Sequence, residues 1–431
     1  MSKKAALRRL LNPSSIAVVG GNAAAEVIRQ CRRIGYRGEL MAVNPGRDEL
    51  AGIPCFPGVA ELPVAPDAAF IAVPPATAID VVRDLAGRGT GGAVCYTSGF
   101  AEVNVAGETL QQRLLDAAKS MAIVGPNCHG IINYLDRVAL WPDEHGGVPT
   151  ERGAALVLQS GNLGISLSMQ ERSLPLSYVI TVGNKADLGM HDYIDALLDD
   201  ERVTAIGLHV EGLQHVRQFS ESAVRALKRK VPLVVLKTGT SNLGAEVTRS
   251  HTNSLSGSDD LYNALFRRLG IARCDSMNQF LETLKLMTVA PPPQGKRVGS
   301  MSCSGGEASM IADLADNEGL DLPPLSKSSA DALHGVLGDR VHIVNPLDYH
   351  TYVWGNREAL TACFTAMLGN DYDCALLVID YPRGDQCALA NWEMAEQALI
   401  DARDTTGRIS MIVATLPENF PREARERLIK A

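Results

Sequence analysis

Short apolar runs that break into glycine and then into helical spacing recur along this chain, and they leave it few architectures. The first is Ile16–Gly20, followed by a helical pattern over about 24–34. Further strands are predicted at Glu39–Val43, Ala68–Val73, Gly92–Tyr96 and Ala122–Val124, with helical spacing over Thr77–Arg88 and Gly107–Ser120 between them. Strand–helix alternation of this kind specifies a parallel sheet covered by helices on both faces. The pattern restarts at Ala154–Gln159 and continues through Tyr178–Val182, Ala205–Val210 and Leu233–Lys237. A proline-rich hinge over 290–295 precedes a third set, Val298–Cys303, Ala375–Ile379 and Ile409–Ala414. The expected fold is therefore α/β in three blocks: residues 1–135, 150–289 and 296–431, the last two each a compact flavodoxin-like parallel sheet. A length of 431 residues agrees with about three domains at about 150 residues each.

Composition narrows the function. Hydrophobic residues make up 46% but aromatics only 5%, so the cores must be aliphatic, as in buried parallel sheets. With 41 basic and 49 acidic residues the net charge is −8, which argues against nucleic acid or an anionic membrane as the main partner. No run of eighteen apolar residues exists to span a bilayer. The basic start imitates a secretory signal, and faintly a mitochondrial one, but Asn12, Pro13 and Ser14 break the apolar region that should follow. A short amphipathic leader helix is expected instead. Nine cysteines without CxxC or Cys/His clustering suit a reducing cytoplasm and predict no metal site.

Ligands of open parallel sheets collect beyond the carboxyl ends of strands, where free N–H groups at helix starts favour anions. Two loops fit that place: Gln159-Ser160-Gly161-Asn162 after the strand that opens the second block, and Ser304-Gly305-Gly306 after the one that opens the third. Either could be only a tight strand-to-helix turn; finding two, each opening a block, favours phosphate. His251 lies in a polar segment, and Glu211 stands at the end of a predicted strand. A carboxylate that accepts one imidazole N–H leaves the other nitrogen as a nucleophile, which makes His251 with Glu211 a candidate pair. The first block offers Gly20-Gly21-Asn22 but lacks the GxGxxG fingerprint of dinucleotide sites, so a nicotinamide dehydrogenase is weakly supported.

Several motifs, in order, resemble the NDP-forming acyl-CoA synthetases, relatives of succinyl-CoA synthetase. Ser250-His251-Thr252 with Leu255-Ser256-Gly257-Ser258-Asp259 resembles SHTGxLAGSD, and Ser98-Gly99-Phe100-Ala101-Glu102 resembles SSGFAE. Gly125-Pro126-Asn127-Cys128-His129-Gly130 matches GPNCxG, and Gly183-Asn184-Lys185-Ala186-Asp187 the GNKAD string. Val210-Glu211-Gly212 and Asn345-Pro346-Leu347-Asp348 resemble the family's xEG and NPxD. The resemblance implies a Rossmann-like CoA-binding first domain and a relay. NTP phosphorylates His251, oriented by Glu211; the phosphoryl group passes to a carboxylic acid; and CoA thiol attacks the acyl phosphate. The two Ser/Gly loops would cradle the phosphohistidine. CoA contacts carry over to Gly20, Gly21, Asn22, Asn44, Pro45, Val73, Pro74, Pro75, Ser98, Gly99, Phe100 and Asn127.

There are departures from the family pattern. The first loop is shorter than the family's GASxxPxKxG, and the basic residue after Asn-Pro is displaced to Arg47. Glu307 stands where proline is common and is expected to point away from phosphate. The ATP-grasp module that binds ATP or GTP with Mg²⁺ has no counterpart, so a separate subunit or a further domain is expected to supply it, in an oligomer. Asn345, Asp348, Trp354 and Glu393 are the expected acyl-pocket residues, with Tyr349–Gly355 concentrating aromatics in an aromatic-poor chain. A thiol nucleophile at Cys128 or Cys303 is disfavoured for want of a paired base. The competing reading is a non-catalytic CoA-binding regulatory or scaffold protein.

Overall fold

The computed structural model describes residues 2–246, 258–290 and 292–431. It divides into two compact units, Met1–Ala290 and Pro291–Ala431. The first unit contains two seven-stranded sheets.

The first sheet is built from β1 (Ser15–Gly20), β2 (Glu39–Val43), β3 (Glu49–Leu50), β4 (Ile53–Phe56), β5 (Ala68–Ala72), β6 (Gly92–Cys95) and β7 (Ala122–Val124). The order is β3-β4-β2-β1-β5-β6-β7, parallel except for the β3–β4 pair. Central β1 pairs with both β2 and β5, so the chain reverses direction across the sheet there, and a crevice opens beyond its carboxyl end. Gly20 ends β1 at φ 141°, and a Cβ there would stand 2.5 Å from the Ala72 carbonyl oxygen. Only glycine lets the two strand ends run this close.

The second sheet comprises β8 (Ile131–Asn133), β9 (Val138–Leu140), β10 (Gly153–Leu158), β11 (Leu176–Thr181), β12 (Val203–Val210), β13 (Leu233–Lys237) and β14 (Ala272–Cys274). Its five parallel strands run β14-β13-β12-β10-β11, which is the flavodoxin order, with β8 and β9 added antiparallel at the β11 edge. Every residue of β10 and β11 is buried, as expected of strands covered on both faces. The β8–β9 hairpin is absent from the sequence reading: its two short runs follow no helical segment, so the strand–helix alternation that reveals Ala122–Val124 does not mark them. It joins the sheets. Asn133 and Ile132 pair with Tyr178 and Val179 of β11, while Cys31 on helix Asn22–Ile34 donates its thiol to the Ala139 carbonyl at 3.2 Å.

The predicted leader helix forms over Lys3–Leu11, capped by the Ser2 hydroxyl. It buries Ala6, Leu7, Leu10 and Leu11, one stripe at helical spacing. Its Lys3 ammonium donates to Asp187 at 2.6 Å and to the Met121 carbonyl at 2.7 Å, and Asp187 also accepts the Ile123 N–H. One apolar core runs without interruption from the leader helix through both sheets.

The second unit has a smaller, all-parallel sheet of β15 (Val298–Ser302), β16 (Leu347–Asp348), β17 (Cys374–Val378) and β18 (Ser410–Val413), ordered β16-β15-β17-β18. Helices Lys327–Leu337, Arg357–Leu368 and Ala390–Thr406 bury residues in its core. Among the described residues no helix is long and apolar enough to cross a membrane.

Candidate functional site

In the first unit the carboxyl ends of both sheets face one cleft of about 820 Å³. The first sheet contributes Val73, Pro74, Pro75, Ser98 and Asn127; the second contributes Gln159, Ser160, Gly161, Asn162 and Glu211. Expected CoA loops and one expected phosphate loop, distant in sequence, thus line the same space.

Two motif loops hold the walls together. Asn184 and Ala186 donate their N–H groups to the carbonyls of Pro126 (2.9 Å) and Gly125 (3.1 Å), zippering the loop after β11 to the loop after β7. Gly183 has φ 51°, and a Cβ there would stand 2.3 Å from the Pro126 oxygen, so this approach requires glycine. Glu102 adds a second tie. Its carboxylate accepts the N–H groups of Gly99 (2.6 Å) and Phe100 (3.2 Å) and the side-chain amide of Asn184. Glu102 therefore takes up the amides of the Ser98–Phe100 turn, and the Phe100 ring is buried in the core.

At the other expected CoA positions, Asn44 donates to the Gly20 carbonyl at 2.8 Å and accepts the Gly46 N–H, which fixes the turn after β2. Arg47 reaches the Asn22 side chain at 3.1 Å, placing the displaced basic residue beside the start of helix Asn22–Ile34. Pro74 and Pro75 begin the next helix, where a missing N–H costs nothing. Asn127 adopts φ 55° and is exposed to the cleft.

In the second sheet, Ser160 caps helix Gly161–Ser168, its hydroxyl accepting the Leu163 N–H at 3.4 Å. Gln159 is buried and turned away from an anion role. Its amide oxygen accepts from the N–H groups of Glu211 (2.7 Å) and Gly212 (3.1 Å), and its nitrogen donates to the Gly212 carbonyl at 2.8 Å. Two buried lysines complete the grip: Lys237 donates to the Glu211 carbonyl at 3.0 Å and Lys185 to the Gly212 carbonyl at 3.1 Å. Burial lowers the Lys185 ammonium to about 8, and the Glu211 charge opposes that fall. Burial, reinforced by Lys237 and Lys185, lowers His209 to about 4. Glu211 is thus held at the cleft on a rigid turn with cations beneath it. His251, its expected partner, lies outside the described residues.

Sequence reasoning gave His129 no role. Its ring lines the cleft beside Trp141 and Tyr96, with centroids 4.8 and 5.9 Å away. Its signal was an ionisable residue at the variable position of GPNCxG. Cys128 beside it is buried, its thiol pushed far up by burial and donating to backbone carbonyls, which leaves it inert.

The second unit holds the other candidates. Ser304 opens helix Gly305–Asn317 without a side-chain cap, and the Asp348 carboxylate stands 3.2 Å from where a Cβ on Gly305 would be. Gly306 is exposed in the first turn of that helix. Glu307 faces Asp380 and Asp348; burial first, then those two charges, raise its carboxyl to about 7. Asn345 uses its amide internally, donating to the Val298 and Pro323 carbonyls and accepting the Ser300 N–H. Trp354 packs edge-on against Trp392 at 5.4 Å. Glu393 stands 3.6 Å from Arg427, which also pairs with buried Glu396.

Two family models match this architecture: a CoA binding domain over residues 14–134 and a succinyl-CoA ligase like flavodoxin domain over residues 151–287. The chain is 32% identical to a trans-feruloyl-CoA synthase from an unidentified prokaryote, over 84% of this chain and 53% of that protein. It is 31% identical to the alpha subunit of an ADP-forming acetate–CoA ligase II from Pyrococcus furiosus, over 78% of this chain and 74% of the subunit. A solved structure of the dinucleotide-forming acetyl-coenzyme A synthetase 1 of Candidatus Korarchaeum cryptofilum, in complex with phosphate and ADP, superimposes with a TM-score of 0.84 at 26% identity, covering 98% of this chain and 97% of that one. The chain spans about half the length of the first two curated relatives it matches. With two sheets of matching type in matching order, and an alpha subunit matched over most of its length, the chain belongs to the family of NDP-forming acyl-CoA synthetases.

Proposed function

We propose that this chain is the CoA-binding and phosphohistidine-bearing portion of an acyl-CoA synthetase. It would join a carboxylic acid to CoA through phosphohistidine and acyl-phosphate intermediates. The observation that carries the reading is the shared cleft, in which the turns after β5, β6 and β7, with Ala23 of the helix after β1, face the Ser160 loop and Glu211. In this reading the first-sheet turns hold CoA. Glu211 accepts one ring N–H of His251 and leaves the other nitrogen to carry the phosphoryl group. The start of helix Gly161–Ser168 supplies N–H groups and a favourable dipole to that dianion. Residues 1–135, 150–289 and 296–431 would act as three domains, the last offering a second phosphate loop at Ser304–Gly306 and an acyl pocket near Asp348 and Trp354.

ATP or GTP with Mg²⁺ would be handled by an ATP-grasp module on another polypeptide or segment, assembled with this one as an oligomer. The alpha-subunit names of two relatives support a partner subunit. The nine cysteines are free thiols, which suits the cytoplasm.

The reverse half-reaction tests the proposal without any nucleotide module. Acyl-CoA and labelled inorganic phosphate should place an acid-labile, base-stable phosphoryl group on the chain, and His251→Ala should abolish it. Equal labelling of wild type and variant would sink the reading.

A further inference from the structure

Resting on that reading, we infer that His129 is a catalytic residue of the thiol step: its imidazole takes the proton of the CoA thiol as the thioester forms. Three features of its placement carry this. First, it belongs to the loop after β7, among the first-sheet turns, yet its Nδ1 stands 3.5 Å from where a Cβ on Gly161 would be, at the head of the helix that opens the second sheet's phosphate loop. The ring therefore sits where the two walls of the cleft meet, and an acyl phosphate and a thiol must meet there too. Second, the ring is held. Trp141 and Tyr96 pack it, and its backbone N–H donates to the Thr181 hydroxyl at 2.8 Å. Third, Nε2 lies 3.6 Å from Asp143 Oδ2, beyond hydrogen-bond reach but near enough for the carboxylate's charge to favour hydrogen on Nε2, which leaves the Nδ1 lone pair on the side of Gly161. Burial favours the neutral ring, against the pull of Asp143.

A thiol with a pKa of about 8.5 is mostly protonated at neutral pH, and a base within reach is what it lacks. As the S–H bond breaks, the proton passes to Nδ1. The sulfur electron pair forms the C–S bond to the acyl carbon, and the C–O bond to phosphate breaks, releasing inorganic phosphate. In reverse, the imidazolium returns the proton to the departing thiolate while phosphate attacks the thioester. No other reactant is needed.

The test uses the full chain and two ways of phosphorylating it. Acetyl-CoA or feruloyl-CoA with labelled phosphate requires the thiol to leave; acetyl phosphate or feruloyl phosphate labelled in the phosphoryl group does not. His129→Gln should slow CoA release, read with a thiol reagent, by about 10²- to 10⁴-fold. It should still reach the wild-type extent of labelling from the acyl phosphate. Free imidazole should restore CoA release to His129→Ala. CoA release at the wild-type rate in His129→Gln overturns the proposal, as does equal loss of both labelling routes, which would mark a structural role. If neither route labels the wild type, the phosphohistidine reading fails and takes this inference with it.

Discussion

The side chain of Gln159, leaving the end of β10, clasps the backbone of Glu211 at the end of β12, its oxygen accepting the Glu211 N–H at 2.7 Å. The same amide satisfies both the N–H and the carbonyl of Gly212. A side chain expected to hold phosphate is thus occupied in fixing the carboxylate's turn, and the loop's hold on an anion falls to Ser160 and the helix start.

Replacing Gln159 with leucine leaves two buried N–H groups and weakens the bonding of one carbonyl. The expected loss is about 1–3 kcal/mol, seen as a lower Tm in thermal denaturation. Phosphoryl labelling should fall further than stability does, because Glu211 loses its fixed position. Unchanged Tm and labelling would remove the clasp from the account.

Gly183→Ala tests the zipper between the GNKAD and GPNC loops. With φ at 51° and the Pro126 oxygen 2.3 Å from the new Cβ, backbone must shift. A destabilisation of about 2 kcal/mol or more is expected, together with weaker CoA binding by calorimetry. Gly161→Ala, whose nearest neighbour would be 3.5 Å away, should be much milder in Tm.

His209 makes the first unit acid-sensitive. Its folded pKa is about 4 against an ordinary 6.5, so the unfolded chain takes up a proton first as pH falls. Its contribution is complete above pH 6.5 and drains away as pH falls towards 4. His209→Gln should flatten urea-derived stability between pH 6.5 and 4 by roughly 2–3 kcal/mol. An unchanged pH slope would contradict the assignment.

Glu307 acts in the opposite direction on the second unit. Its folded pKa of about 7 exceeds the ordinary 4.5, so the native state holds its proton longer. Its contribution is most favourable below pH 4.5 and is lost as pH rises through about 7. Glu307→Gln should therefore stabilise this unit above pH 7, on the order of 1 kcal/mol after solvent screening. A variant no more stable than wild type at pH 8 would show the three carboxylates do not repel.

Much of the fold could be read locally. The runs Ile16–Gly20 and Ala154–Leu158 are long enough, and apolar enough, to declare buried parallel strands, and each ends where a turn residue begins a helix. The leader helix was legible from the stripe Ala6, Leu7, Leu10 and Leu11. Ala122–Val124 was legible as the strand after a helical segment, but the equally short β8 and β9 follow no helix, and β14 carries Arg273 at its centre.

By itself, the sequence determined which loops lie at the carboxyl ends of strands, since strand direction and helix start are written in residues close together along the chain. Only the tertiary structure decided what those loops do to one another. That Gln159 and Lys237 grip Glu211, that Glu102 takes the side-chain amide of Asn184, and that His129 reaches Gly161 all depend on side chains from separate strands converging. Such pairings are set by sheet order and by the zipper between two loops some 57 residues apart, and no local pattern of propensity or spacing encodes them.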